Sequence, residues 1–290
     1  MLMAIVLVVL VVGSVIFHLV SPWWSTPIAS NWGSIDTTID ITFWITGVVY
    51  VIVLLFTAYC CYRFKFNPNR RSEYQPENHK LELWLSGLTA LGVVGLLTPG
   101  LIVWNDYINP PAEATEIEVV GKQWEWGYRL PGNDGVLGTT NIRFVSDDNP
   151  FGINPDDPAG QDDLLIDDEL HLQADKPVKL LLRAYDVLHN FYVPQFRAKM
   201  DMVPGMITYL WLTPTRADTF DILCAELCGI GHSSMRGVVV VDNLADYEKW
   251  LKGQTTFAQS VAASNNKTGS DFKIVLSLEH TQPHSKEHFK

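Results

Sequence analysis

The chain has 290 residues, 47% of them hydrophobic, and a formal net charge of −11 at pH 7. That length holds about two domains, and the negative charge excludes a nucleic-acid partner, because binding phosphate needs the opposite sign. Residues 1–104 carry five basic and five acidic side chains, so the whole excess lies on 105–290 and favours a basic protein partner.

Three stretches, 1–20, 41–62 and 83–104, are apolar, uncharged and long enough to cross about 30 Å of hydrocarbon. All five basic residues of the first 104 lie between the second and third stretches, and none lies in 21–40. The positive-inside rule then puts 63–80 in the cytoplasm and both 21–40 and everything after 104 outside. Trp23, Trp24 and Trp104 fall at the membrane interfaces. Stretch 1–20 reads as an extra transmembrane helix or an uncleaved signal; Met1-Leu-Met-Ala lacks the positive n-region of a cleaved one. Cys60 and Cys61 end the second helix on the cytoplasmic side, where thiols stay reduced, and their expected role is packing. Glu82 opens the third helix, either as an acid favourable near a helix N-terminus or as a proton-uptake carboxylate.

After Pro110-Pro111 the pattern changes to strands. Segments 116–120 and 123–128 alternate at period two, which puts Trp124, Trp126 and Tyr128 on one face. Residues 147–169 hold nine acidic side chains and no basic one, with Pro and Gly that argue for a solvated irregular loop. Further strands are expected at 170–173, 178–185, 206–212, 219–223 and 238–241, the spacing of an antiparallel sandwich or barrel. A short amphipathic helix at 243–252 follows, and 254–290 reads as a loosely ordered polar tail containing His280, His284 and His288.

Between the last two strands lies Cys224-Ala-Glu-Leu-Cys-Gly-Ile-Gly-His-Ser-Ser-Met235. Its C-x3-C-x3-H-x2-M spacing sets two thiols, an imidazole and a thioether in twelve positions, a soft set that favours copper over magnesium or calcium. A mononuclear blue-copper loop needs only one cysteine; a second could bridge a pair of ions. A disulfide between Cys224 and Cys228, or a zinc site, remains open on spacing alone. The loop is one histidine short of two copper sites, and His189, in Asp186-Val-Leu-His-Asn-Phe-Tyr-Val-Pro, is the residue that could supply it.

Taken together, Gly-Lys-Gln-Trp124-Glu-Trp, Asp186-Val-Leu-His189-Asn-Phe-Tyr-Val-Pro, Lys199-Met-Asp201-Met-Val-Pro-Gly and the Cys-Ala-Glu-Leu-Cys-Gly loop resemble subunit II of haem–copper cytochrome c oxidases, over residues 38–252. The resemblance implies a transmembrane hairpin (38–104), a periplasmic cupredoxin-like Greek-key barrel (105–253) and a dinuclear CuA centre. It implies that Cys224 and Cys228 bridge both coppers, that His189 and Met235 complete one, and that His232 and the Glu226 carbonyl complete the other. The Glu226 carboxylate would reach a magnesium ion shared with subunit I, with Lys199 and Asp201 near that boundary. Trp124 would be the entry point for electrons from cytochrome c, and Asp186, Asp147 and Asp148 would belong to the acidic docking surface. Glu82 matches the acid at a proton-channel mouth, although it stands two residues before Trp84 rather than three.

The implied activity is that of a proton-translocating cytochrome c oxidase, with oxygen reduction at the haems and Cu-B of subunit I. Subunits I and III, cytochrome c and membrane lipid are the implied partners. The implied location is a bacterial plasma membrane, with the mitochondrial inner membrane as the alternative. Helix 1–20 is additional to the family's hairpin. No Cys-x-x-Cys-His haem-attachment motif occurs. A nitrous oxide reductase would carry a large preceding domain in place of the hairpin, and a copper-delivery protein would have little use for Trp124.

Overall fold

A computed structural model describes residues 1–21, 26–71, 74, 76–146 and 148–264. Trp23, Trp24, Asp147 and the three tail histidines lie outside the described residues. The chain divides into two compact units, Met1–Asn109 and Pro110 onward.

The first unit consists of α1 (Leu2–Val20), α2 (Gly33–Arg63) and α3 (His79–Ile108). All three are long and apolar enough to cross a membrane. At 1.5 Å per residue, the 31 residues of α2 and the 30 of α3 reach about 45 Å and overshoot the hydrocarbon. This is why α2 begins eight residues before the uncharged stretch: its first turns carry Asp36 and Asp40, which favour the positive end of the helix dipole. At the start of α3 the Asn78 side chain accepts a hydrogen bond from the Leu81 N–H at 3.1 Å, a standard N-cap. Helix α1 lies against α2, where Ala4, Val11 and Ala58 are buried and the Ser14 and Tyr50 hydroxyls meet at 3.2 Å. The expected arrangement of a hairpin with one added helix is thus replaced by three spans in which α1 and α2 are the more extensive pair.

Among the described residues the second unit holds ten strands in two separate sheets, which do not close into the implied barrel. One runs β3 (Leu164–Ile166), β2 (Glu125–Leu130), β1 (Thr115–Lys122), β5 (Val178–Ala184), β8 (Thr208–Leu212). The other runs β4 (Glu169–Gln173), β10 (Arg236–Asp242), β9 (Asp218–Cys224), β6 (His189–Val193), β7 (Ala198–Met202). A short helix, α4 (Leu244–Leu251), follows β10. Both sheets are mixed rather than antiparallel: β1 pairs with β5 and β10 with β4 in parallel. Alternating hydrophobicity reports which face a strand buries and not its direction. Here the long connection between β1 and β5 provides the crossover that parallel pairing needs. Strands β3, β6 and β7 were not among the expected ones.

The acidic segment also departs from expectation. Instead of a solvated loop, 148–169 packs on the first sheet and contributes Phe151 and Ile153 to a hydrophobic cluster with Val120 and Phe257. Beneath it Glu118 and Arg129 are buried. Glu118 accepts from Arg129 Nε at 2.6 Å and from Arg183, and Asp163, fully buried, accepts from Arg129 at 2.5 Å and from the Gly138 N–H at 3.0 Å. Two cations and two anions cancel, which permits their burial. Asp157 takes the Thr139 hydroxyl and N–H at 2.6 and 2.8 Å, and those bonds hold its carboxyl below the usual range. The tail is likewise ordered at its start. Residues 257–264 are helical, Phe257 is 2% exposed, and its N–H donates to the Asp163 carbonyl at 2.8 Å.

Burial pushes the Asp163 carboxyl up to about 6, against the pull of Arg129 and Gly138. The folded state therefore takes up a proton between about pH 4 and 6, and stability falls as pH rises through that window. In urea unfolding of residues 110–264, Asp163→Asn is expected to lack this slope. Asp163→Ala at pH 7 should cost about 3–5 kcal/mol by leaving Arg129 short of a partner, whereas exposed Asp156→Ala should stay within about 0.5 kcal/mol.

Candidate metal centre

Strand β6 brings His189 and strand β9 brings Cys224 to the same end of the second sheet, where Phe191 pairs with Cys224 across the ladder. The loop between β9 and β10 then returns to that end, so both its stems are fixed by a sheet. The Ala225 N–H donates to the Asn190 carbonyl at 3.1 Å and the Cys224 N–H to the Met235 carbonyl at 3.4 Å. A single turn of 3-10 helix, His232–Ser234, turns the chain back into β10.

The donor atoms of all six residues singled out in sequence meet here. Cys224 Sγ lies 3.8 Å from Cys228 Sγ, 3.9 Å from His189 Nδ1 and 3.2 Å from the Glu226 carbonyl oxygen. Cys228 Sγ lies 3.6 Å from His232 Nδ1 and 3.8 Å from Met235 Sδ. Both cysteines are free, and 3.8 Å is far beyond a disulfide length of about 2.05 Å. It is instead the edge expected between two sulfurs that each lie about 2.3 Å from one tetrahedral metal ion. His189, Cys224 and Cys228 form a group that could hold a metal ion. Two thiols, two imidazoles and a thioether are the softer donors that suit copper; the Glu226 carbonyl is a harder one, and no carboxylate joins them. The residues therefore fit a copper site.

Electrostatics at the site follow from burial. His189 is 0% exposed, Met235 1% and Cys228 2%. Burial, with the Cys224 thiol beside it, pushes the Cys228 thiol up to about 11. Such a thiol ionises when a cation stands against the sulfur.

His189 Nε2 donates to Asp186 Oδ1 at 2.8 Å, which leaves Nδ1 as the lone-pair nitrogen facing Cys224. Burial of Asp186 opposes its ionisation, yet hydrogen bonds from His189 and the Gln123 and Val187 N–H groups hold its carboxyl below the usual range. Asp186, expected on a docking surface, thus has both oxygens engaged within the domain. An aspartate three residues before the histidine was the sequence signal for this pairing.

Trp124 is 38% exposed, and its indole N–H donates to the Cys228 carbonyl at 3.3 Å. Its ring occupies the space a Cβ at Gly231 would need, with 2.4 Å to the nearest ring atom. Gln123 Nε2 donates to the same carbonyl at 2.8 Å, a contact that the sequence reading passed over.

Other expected residues lie apart from this group. Asp201 accepts from Asn190 Nδ2 at 2.6 Å, Lys199 is exposed on β7, and Asp148 is exposed in the acidic segment. Glu82 is exposed in the first turn of α3, 3.5 Å from His79 Nδ1.

Residues 115–243 match the family model for the cytochrome c oxidase subunit II periplasmic domain. The chain is 58% identical over 259 residues to the alternative cytochrome c oxidase subunit 2 of Bradyrhizobium diazoefficiens, covering 89% of this chain and 94% of that one. This chain belongs to the cytochrome c oxidase subunit II family.

Subunit 2 of Cereibacter sphaeroides is 29% identical over 230 residues, 72% of this chain and 74% of its own. Among solved structures, the periplasmic domain of subunit II (CoxB) of Bradyrhizobium japonicum aligns with 50% of this chain and 95% of its own, at 24% identity and a TM-score of 0.37. For a subunit II chain, the donor cluster sits within the matched segment, and α1 to α3 supply membrane anchoring by length and composition.

Asp186→Asn keeps the shape but weakens the hold on the His189 ring. Outer-shell substitutions of this kind cost about 10–100-fold in metal affinity. A copper-chelator competition titration should show that loss in Asp186→Asn and an unchanged affinity in exposed Asp148→Asn.

Proposed function

We propose that this chain is the electron-entry subunit of a respiratory oxidase, taking electrons from cytochrome c into a dinuclear CuA centre and passing them to haem in subunit I. The observation that carries the reading is the set of donor separations around Cys224 and Cys228, all between 3.2 and 3.9 Å. Cys224 and Cys228 would bridge two coppers. His189 and Met235 would complete one, His232 and the Glu226 carbonyl the other. Bound there, the copper pair would accept a single electron shared across both ions.

The chain's own residues supply everything else. Buried His189, Cys228 and Met235 keep water from the donors, and the two sheet-anchored stems limit how far the donors move when charge changes. Partly exposed Trp124, hydrogen-bonded to the Cys228 carbonyl, would receive the electron at the surface. Asp148, with Asp147, would contribute to docking of a cationic donor. Asp186 would add negative potential while its oxygens stay engaged.

In the same reading, the Glu226 carboxylate holds a magnesium ion at the boundary with subunit I, with Lys199 and Asp201 nearby, and Glu82 stands at a proton entrance. Helices α1, α2 and α3 are all retained membrane spans. The domain 105–253 is a cupredoxin-like two-sheet domain on the periplasmic side of a bacterial plasma membrane, and subunits I and III, cytochrome c and lipid are its partners. The complex as a whole reduces oxygen to water and translocates protons. Burial of the donors favours this over a copper-delivery role, which requires exchangeable ions.

Copper-loaded protein is expected to bind two copper ions per chain and to give a purple colour and a seven-line mixed-valence EPR signal. A four-line spectrum or a single ion per chain would refute the dinuclear assignment. In stopped-flow mixing with reduced cytochrome c, Trp124→Phe should slow electron uptake at unchanged copper content. Wild-type kinetics in that variant would remove Trp124 from the path.

A further inference from the structure

We propose that Gln123, in the turn between β1 and β2, is a positioning residue of the metal centre that fixes the separation between its two ligand-bearing segments. The inference rests on the ligand assignment above and adds a residue to it. The Gln123 backbone N–H donates to Asp186 Oδ2 at 2.7 Å, and Asp186 Oδ1 holds His189 Nε2 at 2.8 Å. The Gln123 side-chain amide donates to the Cys228 carbonyl at 2.8 Å. One residue of the first sheet therefore grips both the histidine of β6 and the cysteine loop after β9, two segments of the second sheet.

The loop needs such a hold. At its tip Leu227 is 76% and Ile230 94% exposed, so apolar packing does not anchor it. Among the described residues, hydrogen bonds from the rest of the domain reach the 226–230 tip at the Cys228 carbonyl, from Gln123 and Trp124. The Trp124 bond, at 3.3 Å, is the longer and weaker of the two. Two glycines leave room for the approach. A Cβ at Gly229, where φ is +116°, would sit 2.9 Å from Gln123 Nε2, and one at Gly231 would collide with the Trp124 ring. The amide also directs its positive end at a carbonyl of the cysteine that would bridge the metals, so it bears on potential as well as placement.

The test compares the full chain with Gln123→Met, which keeps the length but loses the donor, and Gln123→Asn, which is one methylene too short. Both keep the backbone N–H to Asp186. With copper loaded, both are expected to bind as much copper as wild type, with an altered EPR hyperfine pattern and a lower reduction potential, because a positive dipole end has been withdrawn. In the metal-free chain, iodoacetamide should alkylate Cys228 several-fold faster, with Cys60 and Cys61 unchanged as internal references.

Wild-type spectrum, potential and alkylation rate in both variants would overturn the proposal. So would collapse of the melting transition in both, since Gln123 would then be a folding residue. A wild-type chain that takes up fewer than two copper ions defeats the ligand assignment separately, and the alkylation comparison then decides whether Gln123 holds the loop.

Discussion

The constraint on which the β unit depends is that two thiols must stay 3.8 Å apart, unbonded, and surrounded by neutral donors in a nearly dry site. Neutral soft groups can be buried cheaply, because each lacks the charge that makes desolvation severe. A sheet end is suited to the task. Pairing with β7 fixes His189 and the β6–β9 ladder fixes Cys224, and the return into β10 fixes Met235, so only the short loop between them must be held by other means. Hydrogen bonds from the opposite sheet supply that hold at the Cys228 carbonyl.

Acidic residues serve two purposes in this chain, and their burial separates them. Asp163 and Glu118 lie beneath the 131–163 segment in a charge-balanced group with Arg129 and Arg183, and Asp157 and Asp162 accept backbone N–H groups that shape the segment's turns. Asp163 and Glu118 are matched by cations and project little field, whereas Asp157 and Asp162 keep their charge. Exposed acids such as Asp148 and Asp156 are left to set the surface potential, which acts within a screening length of about 10 Å at 0.1 M salt. A count of nine acids in 147–169 therefore overstates what a cationic partner would feel.

The metal donors were legible in sequence because their chemistry is local: four of the five side-chain donors fall within twelve residues, and a soft donor set is recognisable without a fold. His189 needed one long-range step. The membrane spans were legible because lipid imposes a length and a polarity that few other settings impose. Sheet direction was not, since the β1–β5 pairing depends on how a fifty-residue connection crosses over, and period-two alternation is blind to that. Glu118 is another residue whose burial period-two alternation does not report. It is buried because a segment distant in sequence covers its face, and Arg129 and Arg183 on the adjacent strands make that burial tolerable.

The exposed side chains at the loop tip bear on the electron entry proposed for this site. A loop anchored by a hydrophobic staple would turn Leu227 and Ile230 inward and leave polar backbone at the surface. Anchoring through a single carbonyl instead lets both side chains, with the partly exposed Trp124 ring, face outward over the donors. An apolar surface of this kind within a strongly acidic domain offers a partner two successive interactions. In the proposed role, charge attraction at a distance would orient the approach, and removal of apolar area from water at contact would bring the partner over the indole. The hydrogen bond from that indole to the Cys228 carbonyl then links the contact face to a sulfur-bearing residue without an intervening side chain. Rigidity at the donors and accessibility at the surface are thus met by the same few hydrogen bonds.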